Sequence, residues 1–371
     1  MVTVKAAVLR TPGKPLAIEA LSLADPRAHE VRLRIGATGL CHSDLHVIEG
    51  DMAVPLPVVL GHEGAGVVEA VGAGVTRVKR GDHVALSWAP ECGVCRYCVA
   101  GRPNLCTASA PRVLDGTLLD GTTRLEDSAG KGVFHYSFLS TFAECAVVPE
   151  ASCIPIDREA PFAPASLVGC AVMTGIGAAI NTARVRPGST VAVLGLGGVG
   201  VNVVQGAALC GAERIVGIDS NSAKARTAAV FGLTDFLDPR VGPLAEQMRS
   251  LLGGELADYA FEAIGNPATM TSAYEITARG GTVVYIGIAA DGATLELPAT
   301  RLPREEKIVT GSFYGGARPL MDFPKILDLY MKGRLKLDEL ITERLPLARI
   351  NEGFDRMRRG DAIRVVVDPI S

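Results

Sequence analysis

A chain of 371 residues exceeds the length at which one hydrophobic core usually stops growing, so we expect two domains. Hydrophobic residues make up 48% and charged residues 21%, which is typical of a soluble globular protein and excludes a disordered or fibrous chain. The formal net charge of -3 supplies no basic field for a phosphate backbone, which excludes nucleic acid as a partner.

The sequence also lacks the marks of an exported or membrane-bound protein. Met1–Arg10 is too short an apolar run for a secretory signal, and we expect no apolar run of the roughly 18 residues that a bilayer requires. These features predict a cytoplasmic protein without a membrane partner. In a reducing compartment, the nine cysteines are expected to be metal ligands or free thiols rather than disulfides.

The first part of the chain has the pattern of a β-rich domain. From Ala6 to Val84, short β-rich runs alternate with Gly and Pro, which predicts a mostly antiparallel, barrel-like fold without a strong helix signal. The polar stretch from Ala108 to Tyr136 is rich in Gly, Asp and Thr, and we expect it to be a long excursion on the surface.

The pattern changes after Pro161. Thr190–Leu194 and Arg214–Ile218 are predicted strands, each followed by a predicted helix, and this βαβ rhythm indicates a buried parallel sheet. The later predicted elements are strands at Ala257–Phe261 and Gly281–Ile286, an amphipathic helix near Phe323–Lys332 and a final strand at Arg364–Val367.

A glycine-rich motif joins the first of these strands to its helix. Gly195, Gly197 and Gly200 fit the GxGxxG pattern, in which the glycines permit a tight turn, approach of a pyrophosphate to backbone N–H groups, and close helix–strand packing. Asp219 ends the second strand, where a carboxylate accepts hydrogen bonds from a ribose diol and repels a 2′-phosphate. The motif therefore favours NAD over NADP, and the alternative is a glycine-rich turn that binds no dinucleotide.

Four cysteines are clustered in one short segment. Cys92, Cys95, Cys98 and Cys106 follow the pattern C-x2-C-x2-C-x7-C. Four thiolates match a closed tetrahedral zinc site that leaves no coordination position for a substrate, so we expect a structural zinc. The main chemical alternative is an iron–sulfur cluster.

A second set of zinc ligands is only suggested by the residues themselves. Cys41, His62 and Cys170 each lie beside small residues, but their spacing does not connect them, and an isolated buried cysteine is usually part of a core. Two carboxylates lie close to them in sequence. Asp44 is placed to orient His62 through its other ring nitrogen, and Glu63 to approach a metal transiently.

Together these segments resemble the zinc-containing alcohol dehydrogenase family of the medium-chain dehydrogenase/reductase superfamily. The resemblance covers essentially the whole chain and is carried by Gly39–Asp44, Gly61–Gly64, the four-cysteine segment, Gly195–Gly200, Asp219 and Ala362–Val365. It implies two zinc ions per chain. Cys41, His62 and Cys170 would hold the catalytic zinc, with water or substrate in the fourth position.

The resemblance also implies an α/β architecture with two domains. A mostly-β, GroES-like barrel domain that carries the catalytic zinc is expected from residues 1–171 and 315–371. A Rossmann-type, doubly wound parallel sheet that binds NAD is expected from residues 172–314.

Further cofactor contacts follow from the family pattern. Lys224 is expected near the adenosine ribose, and Thr174 and Ile288 near the nicotinamide. The other expected contacts are His42 and Arg364 at the pyrophosphate, with Gly198, Val199 and Ile264 beside the glycine motif. Many members have Arg at the position of His42, and a histidine carries less charge at pH 7, which bears on cofactor affinity.

The same resemblance assigns a proton path and a substrate pocket. Zinc lowers the pKa of a bound alcohol, and the proton is expected to leave through Ser43 to His46, the base that faces solvent. Trp88 and Tyr136 are expected to line the pocket. This lining favours primary alcohols, with medium-chain, allylic or aromatic groups, and their aldehydes.

Several alternatives remain open at this point. One is a dehydrogenase of the formaldehyde–glutathione adduct, for which Arg112 is the one candidate for a glutathione carboxylate. Others are an enzyme that keeps its nicotinamide bound throughout the cycle, and a zinc-binding relative without chemistry. By resemblance we expect a homodimer. Cys145, Cys153 and Cys210 are expected to be buried free thiols without a metal.

Overall fold

The computed structural model describes residues 1–370. These residues fold into two compact units. Unit 1 comprises Met1–Cys170 together with the chain from Arg318 onward, and unit 2 comprises Ala171–Ala317.

The strands are short and are spread over both units. Their bounds are β1 (Val2–Leu9), β2 (Ala17–Leu23), β3 (Glu30–Gly39), β4 (Val58–Val59), β5 (Glu63–Val71), β6 (His83–Leu86), β7 (Leu125–Glu126), β8 (Gly132–His135), β9 (Cys145–Pro149), β10 (Cys153–Pro155), β11 (Thr190–Leu194), β12 (Arg214–Ile218), β13 (Asp235–Leu237), β14 (Ala257–Glu262), β15 (Thr277–Tyr285), β16 (Ile308–Gly311), β17 (Ile341–Pro346) and β18 (Arg364–Asp368).

The helices are concentrated in unit 2 and near the C-terminus. Their bounds are α1 (His42–Glu49), α2 (Arg96–Val99), α3 (Phe162–Leu167), α4 (Met173–Gly177), α5 (Gly198–Leu209), α6 (Ala223–Val230), α7 (Leu244–Leu251), α8 (Pro267–Glu275), α9 (Arg301–Arg304), α10 (Pro319–Met331) and α11 (Ile350–Arg359). Two π-helical segments, Val168–Val172 and Ala178–Ala183, flank α4.

Unit 1 contains a closed barrel and a second, mixed sheet. The barrel follows the order β1-β2-β7-β8-β4, and the second sheet follows β10-β6-β5-β3-β18-β17, with β9 paired to β3. Strand β18 pairs antiparallel with β3, with Val366 opposite Gly39. The predicted final strand therefore completes a sheet that begins near the N-terminus.

Unit 2 is built on a parallel sheet of six strands in the order β13-β12-β11-β14-β15-β16. Its neighbouring strands are parallel throughout. In the central strand β11, Val191–Leu194 are all buried, which is typical of a strand covered on both faces. This is the buried parallel sheet expected from the βαβ rhythm, in the doubly wound arrangement that the family resemblance implied.

Helix α1 was not anticipated in the β-rich first part. Its N-cap is Cys41, and the Asp44 carboxylate accepts a hydrogen bond from the Cys41 backbone N–H while the Cys41 side chain accepts one from Asp44, which makes a capping box. Cysteine is not among the usual N-cap residues, so the start signal was hidden. Leu45, Val47 and Ile48 bury the helix against the core of unit 1.

The expectation that residues 108–136 form a surface excursion was wrong in part. The segment supplies β7 and β8 to the barrel. Arg124, which directly precedes β7, has a fully buried side chain. Its guanidinium Nε donates to Glu30 Oε2 at 2.8 Å, and Nη2 lies 2.6 Å from Asp120 Oδ2. From the sequence, an arginine is expected on the surface. Here the two carboxylates that pair with Arg124 allow it to be buried.

The expectation that no apolar run is long enough to cross a membrane was also wrong. The helical segment Phe162–Ala183 has 22 residues and a mean hydropathy of 1.7 in its most apolar window, which satisfies length and composition. However, 83% of that window is buried inside the protein. We therefore interpret this segment as a core helix.

Candidate active site

Three residues from distant parts of the sequence meet in unit 1. The ligand atoms of Cys41, His62 and Cys170, together with a carboxylate oxygen of Glu63, all lie within 4.8 Å of one another. Cys41 caps α1, His62 directly precedes β5, and Cys170 lies in the π-helical segment after α3. Cys41, His62 and Glu63 are 6%, 4% and 0% exposed, and Cys170 is partly exposed, so most of the cluster is shielded from water.

Asp44 holds two members of this cluster in place. Its Oδ2 accepts from the Cys41 N–H at 3.1 Å, and its Oδ1 accepts from the Gly61 N–H at 3.1 Å. The same Oδ1 lies 3.2 Å from Nδ1 of His62. This contact occupies one ring nitrogen and leaves Nε2 as the ligand atom, which is the usual role of a carboxylate behind a metal-binding histidine. Gly61 has a φ of 91°, which favours glycine at this turn.

The thiolate and carboxylate groups of the cluster favour positive charge at its centre, either as a proton on a ligand or as a divalent cation in its place. A hydrogen bond from Cys170 lowers the pKa of Cys41 well below its usual range, so a thiolate is favoured there. Burial lowers the pKa of His62, but the Asp44 carboxylate outweighs it and raises the pKa overall. Burial raises the pKa of Glu63 to about 7, and neither of its carboxylate oxygens has a hydrogen-bond partner among residues 1–370. Two sulfurs, one imidazole and an unsatisfied carboxylate are a suitable donor set for zinc.

Arg364 lies behind this cluster. Its side chain is 4% exposed, Nη1 donates to the Leu40 carbonyl at 3.0 Å and lies 3.6 Å from Glu63 Oε1. The sequence pattern associated Arg364 with a cofactor pyrophosphate and gave no sign of its contact with Glu63. That contact brings a permanent positive charge close to the buried carboxylate.

The four-cysteine cluster is formed within one loop of unit 1. The four sulfurs lie within 4.8 Å of one another, with 3.5 Å between the sulfurs of Cys95 and Cys98. Backbone N–H groups donate to three of the sulfurs: Cys92 N to Cys106 Sγ, Cys95 N to Cys92 Sγ, and Cys98 N to Cys95 Sγ. The hydrogen bond from the Cys98 backbone lowers the pKa of Cys95 to about 5. Four converging sulfurs fit a closed tetrahedral metal site.

The glycine motif of unit 2 forms a tight turn between β11 and α5. Gly195 has a φ of 90°, and a Cβ at Gly200 would lie 1.8 Å from the Gly195 carbonyl oxygen, so neither position accepts a side chain. A Cβ at Gly197 would meet nothing within 4 Å, and Gly197 caps α5, which starts at Gly198 with Val199 in its first turn. An open backbone at a helix N-terminus suits a phosphate group.

Asp219 directly follows β12 and is 8% exposed. Its Oδ2 accepts from the Leu196 N–H at 2.9 Å and pairs with Lys224 Nζ at 2.9 Å. The two residues predicted beside an adenosine ribose are thus in contact with each other and with the glycine turn.

The remaining predicted residues of unit 2 are less buried. Ile264 is 52% exposed and Ile288 73% exposed, and a Cβ at Gly195 would lie 2.6 Å from Ile264 Cγ1. Thr174 is partly buried in α4. The two large exposed apolar side chains are available for a ligand, while Thr174 is more enclosed.

The predicted proton path lies along α1. Ser43 Oγ is 3.8 Å from Cys41 Sγ, and His46, three residues further, shares the same helix face and is half-exposed. His42 is exposed at the first position of the helix. The order from buried cluster to solvent is therefore Cys41, Ser43 and His46.

One of the two predicted pocket residues lies against the cluster. The Tyr136 ring stands edge-on to the His62 ring, with 5.5 Å between centroids, and its hydroxyl is 3.5 Å from the Ser43 carbonyl. That hydroxyl is also 3.9 Å from Met52 Sδ, a residue that no sequence motif singled out. Trp88 is partly buried and packs against a hydrophobic core of unit 1 that includes Val84 and Leu86.

A parallel sheet with a glycine turn, together with two sulfur-rich clusters, defines a zinc-dependent, nicotinamide-using oxidoreductase. The profile described as "Alcohol dehydrogenase GroES-like domain" matches residues 27–158, and that described as "Zinc-binding dehydrogenase" matches residues 198–332. The chain belongs to the zinc-containing alcohol dehydrogenase family of the medium-chain dehydrogenase/reductase superfamily.

Relatives of similar length match this chain almost completely. It is 44% identical to "Alcohol dehydrogenase class-3" of Drosophila melanogaster, over 99% of this chain and 98% of that one. It is 42% identical to "S-(hydroxymethyl)glutathione dehydrogenase" of Paracoccus denitrificans, over 98% and 99%.

Solved structures agree with this assignment. An alcohol dehydrogenase zinc-binding domain protein from Burkholderia ambifaria aligns with a TM-score of 0.95 at 34% identity, over 99% of both chains. Benzyl alcohol dehydrogenase from Acinetobacter calcoaceticus aligns with a TM-score of 0.94 at 28% identity, again over 99% of both chains. The family makes zinc the metal of the four-cysteine cluster, in place of the alternative iron–sulfur cluster.

Proposed function

We propose that this enzyme transfers hydride reversibly between NAD(H) and a primary alcohol and its aldehyde, with zinc held by Cys41, His62 and Cys170. The observation that carries the proposal is the convergence of these three ligand atoms in a largely buried cluster of unit 1. The Cys2His donor set is the one described for the catalytic zinc of alcohol dehydrogenases.

The protein side chains have distinct tasks in this reaction. A zinc ion at Cys41, His62 and Cys170 supplies Lewis acidity, which favours loss of the alcohol proton and departure of hydride from carbon. Ser43 accepts the alcohol proton and passes it to His46, which releases it to solvent. Asp44 keeps the His62 ring oriented through its contact with Nδ1. Glu63, buried and without a hydrogen-bond partner among residues 1–370, would offer a further oxygen donor to a metal held there.

The cofactor is proposed to be NAD, bound by unit 2. The pyrophosphate would lie on the backbone of Gly197, Gly198, Val199 and Gly200, and His42 and Arg364 are kept as further contacts on the family resemblance alone. Asp219 and Lys224 would bind the adenosine ribose, and the carboxylate of Asp219 disfavours a 2′-phosphate. Ile264, Ile288 and Thr174 are proposed contacts of the nicotinamide half. The domain limits proposed from the sequence, 172–314 for this part, resemble those of unit 2.

The pocket favours substrates with an apolar group. Tyr136 offers a large apolar face beside His62, and Met52 adds an adaptable thioether next to the Tyr136 hydroxyl. With Trp88 as a further proposed wall, this lining suits medium-chain, allylic or aromatic alcohols. The similarity to benzyl alcohol dehydrogenase supports the aromatic choice.

The second candidate substrate is the formaldehyde–glutathione adduct. It is favoured by the name of the relative from Paracoccus denitrificans. Against it, the guanidinium of Arg112 already pairs with Asp115 at 3.3 Å and donates to the Leu119 carbonyl at 2.8 Å. These contacts leave fewer of its N–H donors for a glutathione carboxylate. We therefore rank the simple alcohol first.

The proposed assembly is a cytoplasmic homodimer. Strand β16 is one of the two edge strands of the unit 2 sheet, and Ile308 on it is 56% exposed. An exposed apolar edge strand is suited to pair with another chain. None of the nine cysteines forms a disulfide within residues 1–370, and six of them belong to the two proposed zinc sites, which supports a reducing compartment.

Zinc content and turnover, measured on one preparation, test this proposal. We expect two zinc ions per chain, and NAD+ reduction with hexanol, benzyl alcohol or an allylic alcohol that exceeds the rate with hydroxymethylglutathione. Two zinc ions with turnover of the glutathione adduct alone would select the second candidate. Absorbance near 340 nm in the purified protein would indicate a permanently bound cofactor. One zinc ion or none would refute the metal assignment. If none of these substrates is turned over, the protein would be a zinc-binding relative without catalytic activity.

A further inference from the structure

His46 has a carboxylate partner at the outer end of α1. Its Nδ1 lies 3.2 Å from Asp51 Oδ2, and the two side chains are 50% and 64% exposed. No sequence motif pointed to Asp51, and the proposed reaction so far gives it no task.

The backbone places Asp51 over His46. Gly50 adopts a left-handed conformation with a φ of 90°, and its N–H donates to the His46 carbonyl at 3.0 Å. The N–H groups of Asp51 and Met52 donate to the same carbonyl, at 2.9 and 3.2 Å. Three successive N–H groups therefore converge on one oxygen, and this turn returns the chain to His46. The position of Asp51 is fixed by its backbone and does not depend on its side chain.

This arrangement determines which ring nitrogen of His46 is free. An ionised carboxylate only accepts hydrogen bonds, so a neutral imidazole facing Asp51 carries its proton on Nδ1. Nε2 is then left as the acceptor. Since Ser43 and His46 lie three residues apart on one helix face, an unprotonated Nε2 is what a base in this relay needs.

We propose that Asp51 is a positioning residue that holds His46 in the tautomer with Nε2 free to accept a proton. The inference rests on the proposed function, because it requires that His46 takes part in proton release. Asp51 itself touches neither substrate nor cofactor in this scheme.

The neighbouring charges single out Asp51 among the acidic residues. Glu49 belongs to the same exposed cluster, but it pairs with Arg358 of α11 at 3.0 Å, and Arg358 also pairs with Asp355 at 2.8 Å. Arg358 therefore holds the Glu49 carboxylate from α11, while the recorded hydrogen bond to the His46 ring comes from Asp51. Glu49→Gln therefore removes a carboxylate from the same surface without removing the His46 hydrogen bond, which makes it a matched control.

The kinetic test is the single-turnover rate of NADH formation, since product release does not limit it. Asp51→Ala is expected to lower this rate about tenfold, a fraction of the full contribution of a general base. Added imidazole, which accepts the proton directly, should restore the rate. Asp51→Asn should retain most of the rate because its amide oxygen still accepts from Nδ1. Glu49→Gln should remain within about twofold of wild type, since exposed charge pairs contribute little.

A double variant separates this inference from the proposed function. If Asp51 acts through His46, Asp51→Ala has no further effect in a His46→Gln background. Additive losses, or an unchanged rate for Asp51→Ala when His46→Gln is slow, would overturn the positioning role alone. A His46→Gln variant as fast as wild type would overturn the relay, and the role of Asp51 with it.

A spectroscopic readout does not require turnover. In ¹⁵N-histidine-labelled protein at pH 9, the ring signals of His46 are identified by their absence from the His46→Gln spectrum. We expect the Nδ1-protonated pattern in wild type and in Glu49→Gln, and a shift towards the Nε2-protonated pattern in Asp51→Ala. The same pattern in wild type and Asp51→Ala would overturn the inference.

Discussion

The two sulfur-rich clusters of unit 1 use similar ligands in opposite ways. The four-cysteine cluster is drawn from one loop, and backbone N–H groups of that loop donate to its sulfurs. The other cluster joins Cys41, His62 and Cys170 from three segments, and its neighbours are the carboxylates of Asp44 and Glu63. A loop can close around a metal with its own sulfurs. A site with three protein ligands leaves room for a substrate, and the surrounding fold must hold it.

The largest expected effect comes from removing a ligand of the dispersed cluster. Cys170→Ala should lose one zinc ion per chain and lower kcat/KM for alcohol oxidation by about 10³-fold or more, because a Lewis acid contributes several kcal/mol to such a reaction. The fold should persist, since the sheets of unit 1 do not depend on this ligand. Elemental analysis and the initial rate of NADH formation measure both effects.

Cys210→Ala is the matched control for that variant. Cys210 caps α5 and belongs to neither cluster, so its replacement should leave two zinc ions and the full rate. Two zinc ions retained in Cys170→Ala would show that Cys170 is not a ligand.

The corresponding change in the four-cysteine cluster should affect stability first. Cys98→Ser removes one of four sulfurs, so the loop should lose its zinc. A decrease of about 3 kcal/mol in the free energy of unfolding would lower the thermal midpoint of a chain of this length by about 4 °C. The rate of freshly purified enzyme should fall far less than in Cys170→Ala. Calorimetry and zinc analysis test this. A loss of activity as large as that of Cys170→Ala, with an unchanged midpoint, would reverse the roles of the two clusters.

The same contrast explains what sequence reasoning found by itself. The spacing of Cys92, Cys95, Cys98 and Cys106 predicts a metal site because residues within one short loop remain close together in space. The GxGxxG motif is also local, and its context predicts the turn between β11 and α5. In both cases the information lies within a few residues.

The dispersed cluster could not be predicted in this way. Nothing in the spacing of Cys41, His62 and Cys170 connects them, and only the family resemblance did so. Long-range contacts were missed for the same reason: the buried pair of Arg124 and Glu30, and the approach of Arg364 to Glu63, require the fold before they can be seen.

A smaller effect tests how the fold holds the dispersed cluster. Asp44→Asn keeps the size of the side chain but loses one of the acceptors that serve Cys41, Gly61 and His62. Changes to such supporting groups typically cost about 10–100-fold in metal affinity, and we expect that loss for the dispersed cluster alone. Zinc retained against a graded chelator measures it. The four-cysteine zinc in the same sample is the internal reference, and Asp291→Asn, at an exposed position, is the control. Equal weakening of both zinc ions would contradict a local role for Asp44.

The smallest expected effect concerns His135, a buried histidine beside an arginine. It contrasts with His62, a buried histidine beside a carboxylate. Burial lowers the pKa of His135 to about 3, with Arg124 acting in the same direction, and its Nε2 accepts from the Arg124 N–H at 3.1 Å. The neutral ring is therefore the folded form, and the unfolded chain, with a pKa of about 6.5, binds the extra proton. Stability from this group is complete above pH 6.5 and is lost as the pH falls towards 3.

His135→Gln tests this because an amide oxygen can accept the same hydrogen bond without titrating. When the pH is lowered from 7.5 to 5.5, the free energy of unfolding of the wild type should decrease by about 1.4 kcal/mol more than that of the variant. Denaturant unfolding at the two pH values measures the difference. An equal decrease in the stability of wild type and variant would mean that His135 is protonated in the folded protein. His135 would then resemble His62, whose carboxylate partner favours the charged ring. A difference of the expected size would instead show that a buried histidine here serves the barrel without any metal, so that burial alone does not mark a ligand.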